Sequence, residues 1–508
     1  MGCVNAELNA VELAVFSSRL ESVCEEMGAV LQRSAFSPNI KDRLDFSCAV
    51  FDAAGELSAQ AAHIPVHLGS MAFAMAGIVE RCTWQSGDMV VVNDPYLGGT
   101  HLPDVTVIAP VFTQGQLIAF IANRAHHANI GATSPGSMPI STCLEEEGIV
   151  IAPTHLLCNN RWQQTLMERL GDDINRGDFV AQVSANRVGV DRLAELIAGI
   201  GMGRYHQALR QLNDYGYRTA LSALREIPQG RYRFSDVMDD DGAGLCDIPI
   251  VVELTVSADG IAANFSGTAE QVPGNINCPL SVVAAAVFYV FRCLMPANVP
   301  SCAGTFRPIT LSAPEGCLIN ARSPAAVAAG NVETSTRITD VVLGALAQAL
   351  PNRIPAASHG SMNNIAMGAK ASGAVARWDY YETIGGGMGA SACGDGLSGV
   401  QTHMTNTLNT PIESLEMHYP LRVIRYQLRE GSSGKGLNRG GEGIIREFEF
   451  LNKTSVTLLT ERRTHAPWGL AGGKAGQPGE NRLNGELLVG KCQLQLKAGD
   501  RLSLVSAG

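Results

Sequence analysis

Charge is scarce in this sequence. Charged residues make up 17% of the 508 residues against 46% hydrophobic residues, and the formal net charge is −10. No basic cluster of the kind that follows a nucleic-acid backbone is present, so nucleic acid is not an expected partner. A globular chain with so little charge is expected to cover part of its surface with partner subunits.

Long hydrophobic runs are missing as well. The longest extends from Val282 to Phe291 and stops at Arg292, well short of the ~20 residues of a membrane span. No basic-then-apolar segment or myristoylation motif opens the chain, so we expect a cytoplasmic protein without a membrane anchor. The 13 cysteines are odd in number and include no C-x-x-C pair, which is typical of reduced thiols.

Several catalytic motifs are absent. The sequence has no G-x-x-x-x-G-K-[ST] phosphate loop, no G-x-S-x-G serine motif and no H-E-x-x-H helix. Residues 394–399 fit G-x-G-x-x-G, but no strand precedes them and no amphipathic helix follows, so a dinucleotide site is not expected. These absences indicate that the chemistry depends on a metal ion and that this chain does not bind ATP through a phosphate loop.

What the sequence does contain is a short window of metal-ligand side chains. Residues 93–104 have the sequence NDPYLGGTHLPD, and residues 123–127 have the sequence NRAHH. Imidazoles and carboxylates beside a Pro/Gly-rich loop are ligands that borderline divalent metals use. The apolar stretches 105–111 and 117–123 predict a hairpin that returns His126 to the level of His101. The alternative is that each histidine is a hydrogen-bonded core residue.

The remaining pattern predicts a mixed α/β chain of several domains. Apolar residues at steps of three and four from Leu13 to Val30 predict an amphipathic helix, and residues 171–225 predict a helical hairpin. Strand-like stretches split by glycine loops follow residue 420. We predict an N-terminal α/β domain with the metal site and the helical hairpin at 1–227, a second α/β domain at 228–400 and a β-rich C-terminal module at 401–508.

Motifs along nearly the whole chain resemble those of one family, the hydantoinase B/oxoprolinase family. Besides the two segments above, the matching stretches are residues 37–43, 45–48, 63–69, 331–335, 381–387, 402–411 and 467–474. The family includes the B subunits of ATP-dependent N-methylhydantoinases and the related subunits of acetone and acetophenone carboxylases.

The resemblance implies a metal site made of Asp42, His101, Asp104 and His126. Many relatives have Glu where Asp42 stands, so the side chain here is one methylene shorter. One divalent ion, Zn, Mn or Fe, would be bound. Asp104 or Asp42 would hold the ion for catalysis, and His127 would orient water or substrate beside it. The alternative for His127 is that it points away from the site, as one of two adjacent histidines normally does.

Four further polar residues are candidates for contacting a substrate: His63, His67, His403 and Asn406. The first two flank Pro65, and the other two lie in a track of neutral hydrogen-bonding groups suited to a ring amide. A purely structural role is the alternative for each of them.

The implied function is that of a subunit in an ATP-dependent cyclic amidohydrolase. An A-type partner would use ATP to phosphorylate the ring carbonyl oxygen of a hydantoin, a 5-oxoproline or a lactam, and water from the metal site would then open the ring. Two alternatives stay open. One is a subunit of an ATP-dependent ketone carboxylase, although such subunits tend to be longer. The other is a non-catalytic scaffold, whose structural metal would be closed to water.

Overall fold

The computed structural model describes residues 7–61, 64–171, 176–371 and 377–508. The helices are α1 (Ala10–Ser34), α2 (Pro38–Lys41), α3 (Pro65–Val79), α4 (Gln164–Leu170), α5 (Arg176–Ile200), α6 (Met202–Leu224), α7 (Leu280–Leu294), α8 (Ala303–Phe306), α9 (Ser335–Ala349) and α10 (Ile412–His418). The strands are β1 (Phe46–Asp52), β2 (Leu57–Ala61), β3 (Met89–Val92), β4 (Asp104–Thr113), β5 (Gln116–His126), β6 (Thr154–Cys158), β7 (Arg161–Trp162), β8 (Gly230–Asp240), β9 (Cys246–Ser257), β10 (Gly260–Asn264), β11 (Ile309–Ser312), β12 (Asn364–Ala369), β13 (Trp378–Glu382), β14 (Leu421–Arg429), β15 (Gly443–Phe450), β16 (Thr454–Leu459), β17 (Glu480–Leu483), β18 (Glu486–Leu488), β19 (Lys491–Leu496) and β20 (Arg501–Val505). Helices and sheets are mixed along the chain, which confirms the predicted α/β class.

The first sheet carries residues of the candidate site. Its order is β2-β1-β5-β4-β3-β6-β7, with antiparallel neighbours throughout. The predicted hairpin is confirmed as β4 and β5, and its register pairs Asp104, the first residue of β4, with His126, the last residue of β5. Asp45 directly precedes β1, and its carbonyl accepts a hydrogen bond from the His126 amide at 3.0 Å. The strand ends therefore gather three polar residues.

Helices pack on this sheet and form the core with it. The predicted first helix is confirmed as α1, which begins with a capping box between Asn9 and Glu12. The predicted helical hairpin is confirmed as α5 and α6, joined at Gly201, whose φ of 81° favours glycine. Gln182 of α5 donates from Nε2 to the carbonyl of Val105 in β4 at 2.9 Å, so the helix is fixed to the strand that carries Asp104.

The second sheet packs against the buried helix α9, and α7 packs on α9 and on α3. The order of the sheet is β11-β10-β9-β8, and α7 and α9 are buried along nearly their whole length. A π-helical turn, Gly330–Thr334, leads directly into α9. Such turns are rare and are often found at functional sites. This one carries Asn331 towards the end of the first sheet.

The C-terminal part is β-rich, as predicted. It consists of the sheets β13-β12-β16-β19 and β14-β15-β20-β17-β18. The former contains strands from both sides of residue 400, so the two predicted units share a sheet, and the domain limits at 227 and 400 stay a prediction. Within the ranges described above, no helix has the length and apolar character needed to cross a membrane.

Candidate metal centre

The loop after β3 is held in one shape by its own side chains. The amide of Asn93 donates to the carbonyls of Leu102 and Ile149 at 2.9 Å each, and its oxygen accepts from the Ile151 amide at 2.6 Å. A Cβ on Gly99 would lie 2.3 Å from the Asn93 carbonyl oxygen, so only glycine fits there. This packing fixes the position of residues 100–104, which lead into β4.

Three side chains meet at the end of the β4–β5 hairpin. Asp104 Oδ1 lies 3.2 Å from His101 Nε2 and 3.3 Å from His126 Nδ1. The ligand atoms of the three residues all lie within 4.8 Å of one another, and all three side chains are buried. The convergence predicted from the hairpin is thus present in the structure.

The bare atoms of this cluster fit a divalent metal. Within the described part of the chain, His101 Nε2 and Asp104 Oδ1 have no hydrogen-bond partner, and a buried polar atom left in that state costs about 1–3 kcal/mol. Zn–N and Zn–O bonds of about 2.0–2.2 Å place tetrahedral ligand atoms about 3.3–3.6 Å apart. The observed separations of 3.2 and 3.3 Å are close to that range.

The other side of each ligand is anchored by the protein. Asp104 Oδ2 accepts from Thr100 Oγ1 at 2.7 Å and from Asn331 Nδ2 at 3.0 Å, and it lies 3.3 Å from His67 Nε2. His101 Nδ1 lies 3.1 Å from the carbonyl oxygen of Ala328. Because a carbonyl only accepts, Nδ1 carries the proton and Nε2 keeps its lone pair for a metal.

Electrostatics favour the metal-binding protonation state in two of the three residues. Burial by itself would raise the pKa of Asp104, but His101 and His67 hold it well below its ordinary value. Burial lowers the pKa of His126 and so favours the neutral ring. In His101, burial lowers the pKa, but the Asp104 carboxylate and the Ala328 carbonyl raise it above its ordinary value, so an ion would displace a proton from that ring. An ionised carboxylate and a neutral imidazole are the forms that bind metal.

A cavity of about 20 Å³ adjoins the cluster. Its polar lining includes Asp45, His67 and Tyr381, and the Tyr381 ring stacks on His126 with centroids 4.7 Å apart and planes 4° apart. Since a water needs roughly 10–15 Å³ of such space, the cavity has room for one water molecule. Asp45 Oδ2 lies 3.9 Å from His126 Nδ1.

Two residues assigned from the sequence lie outside this cluster. Asp42 caps the C-terminus of α2 and is not among the groups that meet there; its charge instead helps to raise the pKa of Tyr419, which burial raises first. His127 follows His126 and is directed to α5, where its Nε2 lies 2.9 Å from Gln182 Oε1 and its ring packs on Phe179.

The four candidates for substrate contact are dispersed. His67, in the first turn of α3, lines the cavity. His403 Nε2 lies 3.8 Å from Asp340 Oδ1, away from the cavity lining, and Asn406 is exposed. His63 lies outside the described residues.

The structure adds Asp45, Thr100, Asn331 and Tyr381 to the site. Each belongs to a motif noticed in the sequence, respectively 45–48, 93–104, 331–335 and 381–387. The family resemblance is therefore the signal that pointed to them, although it did not say what each side chain contacts.

Known proteins resemble this chain over nearly its full length. 5-Oxoprolinase 1 from Arabidopsis thaliana is 39% identical over 98% of this chain, which spans only 41% of that protein's length. The B subunit of a putative D-/L-hydantoinase from Pseudomonas sp. (strain NS671) is 32% identical over 93% of this chain and 83% of its own. The crystal structure of ATP-dependent caprolactamase from Pseudomonas jessenii superposes with a TM-score of 0.91 at 26% identity, covering 99% of this chain and 90% of that one.

The sequence profile described as Hydantoinase B/oxoprolinase matches residues 9–508. Together with the relatives above, this match shows that the chain belongs to the hydantoinase B/oxoprolinase family.

Proposed function

We propose that this chain is the metal-binding subunit of an ATP-dependent cyclic amidohydrolase that opens a hydantoin, 5-oxoproline or lactam ring. The observation that carries the proposal is the meeting of His101, Asp104 and His126 with bare ligand atoms beside a water-sized cavity. The names of the relatives support the substrate class, because 5-oxoproline, hydantoin and caprolactam are all cyclic amides.

One divalent ion, Zn, Mn or Fe, is proposed to be held by His101 Nε2, Asp104 Oδ1 and a ring nitrogen of His126. When bound, such an ion polarises a carbonyl and lowers the pKa of water to about 7. Thr100 and Asn331 keep Asp104 in place through its second oxygen. Because these two hydrogen bonds occupy Asp104 Oδ2, Asp104 Oδ1 is left to bind the ion.

Asp45 takes the role that the sequence reasoning gave to Asp42. Asp45 lines the cavity, and its Oδ2 lies 3.9 Å from His126 Nδ1. Its carboxylate can therefore accept a proton from water in the cavity, or it can complete the ligand set of the ion. His67 lines the same cavity and contacts Asp104, where it orients that water. His127 contributes by packing and not by contact with substrate.

A ring substrate needs more room than about 20 Å³. Met362 and Met404 form part of the apolar cavity wall, and methionine is the apolar side chain that adapts most easily because it is unbranched. We propose that these side chains change rotamer when the ring binds.

The ATP-using step is assigned to an A-type partner subunit. The sequence has no phosphate loop, whereas the caprolactamase is named ATP-dependent and the Pseudomonas hydantoinase relative is named as a subunit. Phosphorylation of the ring carbonyl oxygen by the partner would make the carbonyl carbon open to attack by water. The carboxylase alternative stays a prediction.

The test uses the full chain with and without a co-expressed A-type hydantoinase subunit. Zinc, manganese and iron are measured by elemental analysis, and opening of hydantoin, 5-oxoproline and caprolactam is followed with ATP. We expect close to one ion per chain and ring opening only with both subunits. His101→Ala should leave well under one ion per chain and abolish ring opening, whereas His155→Ala, a partly exposed histidine of the same sheet, should change neither. Ring opening by the isolated chain without ATP would contradict the proposal.

A second candidate is a scaffold with a structural metal. The near-complete burial of the three ligands favours it, because structural sites are closed to solvent. Co-purification separates the two: a scaffold loses its A-type partner in His101→Ala, whereas the catalytic site loses turnover and keeps the partner.

A further inference from the structure

The buried carboxylate Glu147 is connected to His101 through the backbone of one residue, Ala328. It ends a 3-10 turn, Leu144–Glu147, and is fully buried. Its Oε1 accepts hydrogen bonds from Ser141 Oγ at 2.8 Å, from the Val327 amide at 2.8 Å and from the Ala328 amide at 2.9 Å. One carboxylate oxygen thus holds two consecutive backbone amides.

The peptide segment held by Glu147 is the one that contacts the metal cluster. The carbonyl of Ala328 accepts from His101 Nδ1 at 3.1 Å, and Asn331, three residues on, donates to Asp104 Oδ2 at 3.0 Å. Residues 327–331 therefore touch two of the three ligands, each on the side away from its bare atom.

Other hydrogen bonds hold the preceding residues of the same segment, Pro324 and Ala325. The Leu144 amide donates to Pro324, and the Tyr96 hydroxyl donates to the Ala325 carbonyl at 2.7 Å. Glu147 is the residue that holds the amides of positions 327 and 328. Burying a carboxyl group is costly compared with an apolar residue of similar volume, and burial raises the pKa of Glu147 to about 7. The hydrogen bonds from positions 327 and 328 offset part of that cost.

We propose that Glu147 is a positioning residue that fixes the tautomer and orientation of His101 through the backbone at Val327 and Ala328. By doing so it sets the affinity of the site for its ion. The inference about affinity rests on the metal-binding function proposed above, whereas the inference about the tautomer does not.

The first experiment measures the dissociation constant for Zn²⁺ by competition with a chromogenic chelator. Loss of a residue that orients a metal ligand typically costs 10–100-fold in affinity, and we expect this for Glu147→Ala. Glu147→Gln should stay within about threefold of wild type, because its amide oxygen can accept from the same amides. Glu146→Ala is the matched control: that neighbouring side chain is exposed and, among the described residues, accepts only from the Thr142 amide.

A double-variant cycle tests whether Glu147 acts through His101. In a His101→Ala background, Glu147→Ala should weaken the residual Zn²⁺ binding no further, since the group that it positions is gone. An additive loss in the double variant would overturn the proposal. Glu147→Met keeps the side-chain volume and carries the same expected loss where Glu147→Ala does not fold; unchanged Zn²⁺ affinity in either folded variant is an equally decisive contradiction.

The second experiment needs no metal. In ¹⁵N-histidine-labelled apoprotein, nitrogen shifts of His101 should report a single tautomer protonated at Nδ1, and Glu147→Ala should give a mixture of tautomers. Wild type that binds no Zn²⁺ yet shows this change would contradict the proposed function and support the positioning role. A single unchanged tautomer in folded Glu147→Ala would overturn the positioning role itself.

Discussion

Asp104→Asn is the sharpest test of the metal centre. The substitution keeps the shape of the side chain and removes its charge. With the amide oxygen facing Thr100 and Asn331, which donate at 2.7 and 3.0 Å, the new NH₂ group faces His101 Nε2 and His126 Nδ1 at 3.2 and 3.3 Å. It would donate to both and occupy the lone pairs that the ion needs.

The stability and the metal affinity of Asp104→Asn can be estimated from these hydrogen bonds. Two neutral hydrogen bonds contribute about 0.5–1.5 kcal/mol each, so the metal-free variant should be more stable than metal-free wild type by about 1–3 kcal/mol. Metal binding must break both bonds and loses a carboxylate ligand, which we expect to cost about 4 kcal/mol, or about a thousandfold in affinity.

The assay is amide hydrogen exchange in β5 with and without Zn²⁺. At a Zn²⁺ concentration a hundred times the wild-type dissociation constant, the ion stabilises the folded site by about 2.7 kcal/mol, which slows exchange about a hundredfold. In Asp104→Asn the same concentration should give about 0.1 kcal/mol. Zn²⁺ protection equal to wild type, or a variant that is unfolded without metal, would refute the reasoning.

Three further predictions concern the surroundings of the cluster. Burial, with a smaller contribution from Glu461, raises the pKa of Glu333 to about 8, so the folded chain keeps a proton that the unfolded chain, at an ordinary 4.5, has lost; stability therefore falls as pH rises from about 5 to 8, by up to about 1.4 kcal/mol per unit. Glu333→Gln should remove that slope in denaturant unfolding measured across this range, and parallel curves for the two proteins would contradict it. Tyr381→Phe should keep the stack on His126 and the Zn²⁺ affinity, whereas Tyr381→Ala should weaken chelator-competition affinity at least tenfold; equal values for both would show that the stack is irrelevant. His127→Ala should keep one ion per chain by elemental analysis while His126→Ala loses it, and the reverse result would mean that the wrong histidine was assigned.

Local sequence information was sufficient to predict that three candidate ligands meet. His101 and Asp104 are three residues apart in one loop, and His126 reaches them through a hairpin whose length the apolar pattern defines. Strand alternation also explains why the adjacent histidines do not both face the cluster: successive side chains along an extended chain point to opposite faces, and His127, which directly follows β5, faces α5.

The remaining residues of the site depend on contacts between elements that are far apart in the chain, and these could not be predicted from the sequence. Asp42 lies in the stretch 37–43 and Asp45 in the stretch 45–48, and which of them lies beside the hairpin end depends on where β1 begins to pair with β5. Asn331 and Tyr381 reach the site from a π-turn and from a strand of another sheet. No periodicity near residue 101 carries that information, because it depends on how distant elements pack.

The hydrogen bond from Asn331 to Asp104 joins residues 227 positions apart in the chain. At a synthesis rate of about 5–20 residues per second, Asn331 is made about 11–45 s after Asp104. During that interval the nascent chain already contains the histidines and the carboxylate, but not the amide that turns Oδ2 away from the ion. Under the proposed metal binding, zinc met at that stage would find an incomplete ligand set, so tight binding would wait until the π-turn has been made and has folded into place.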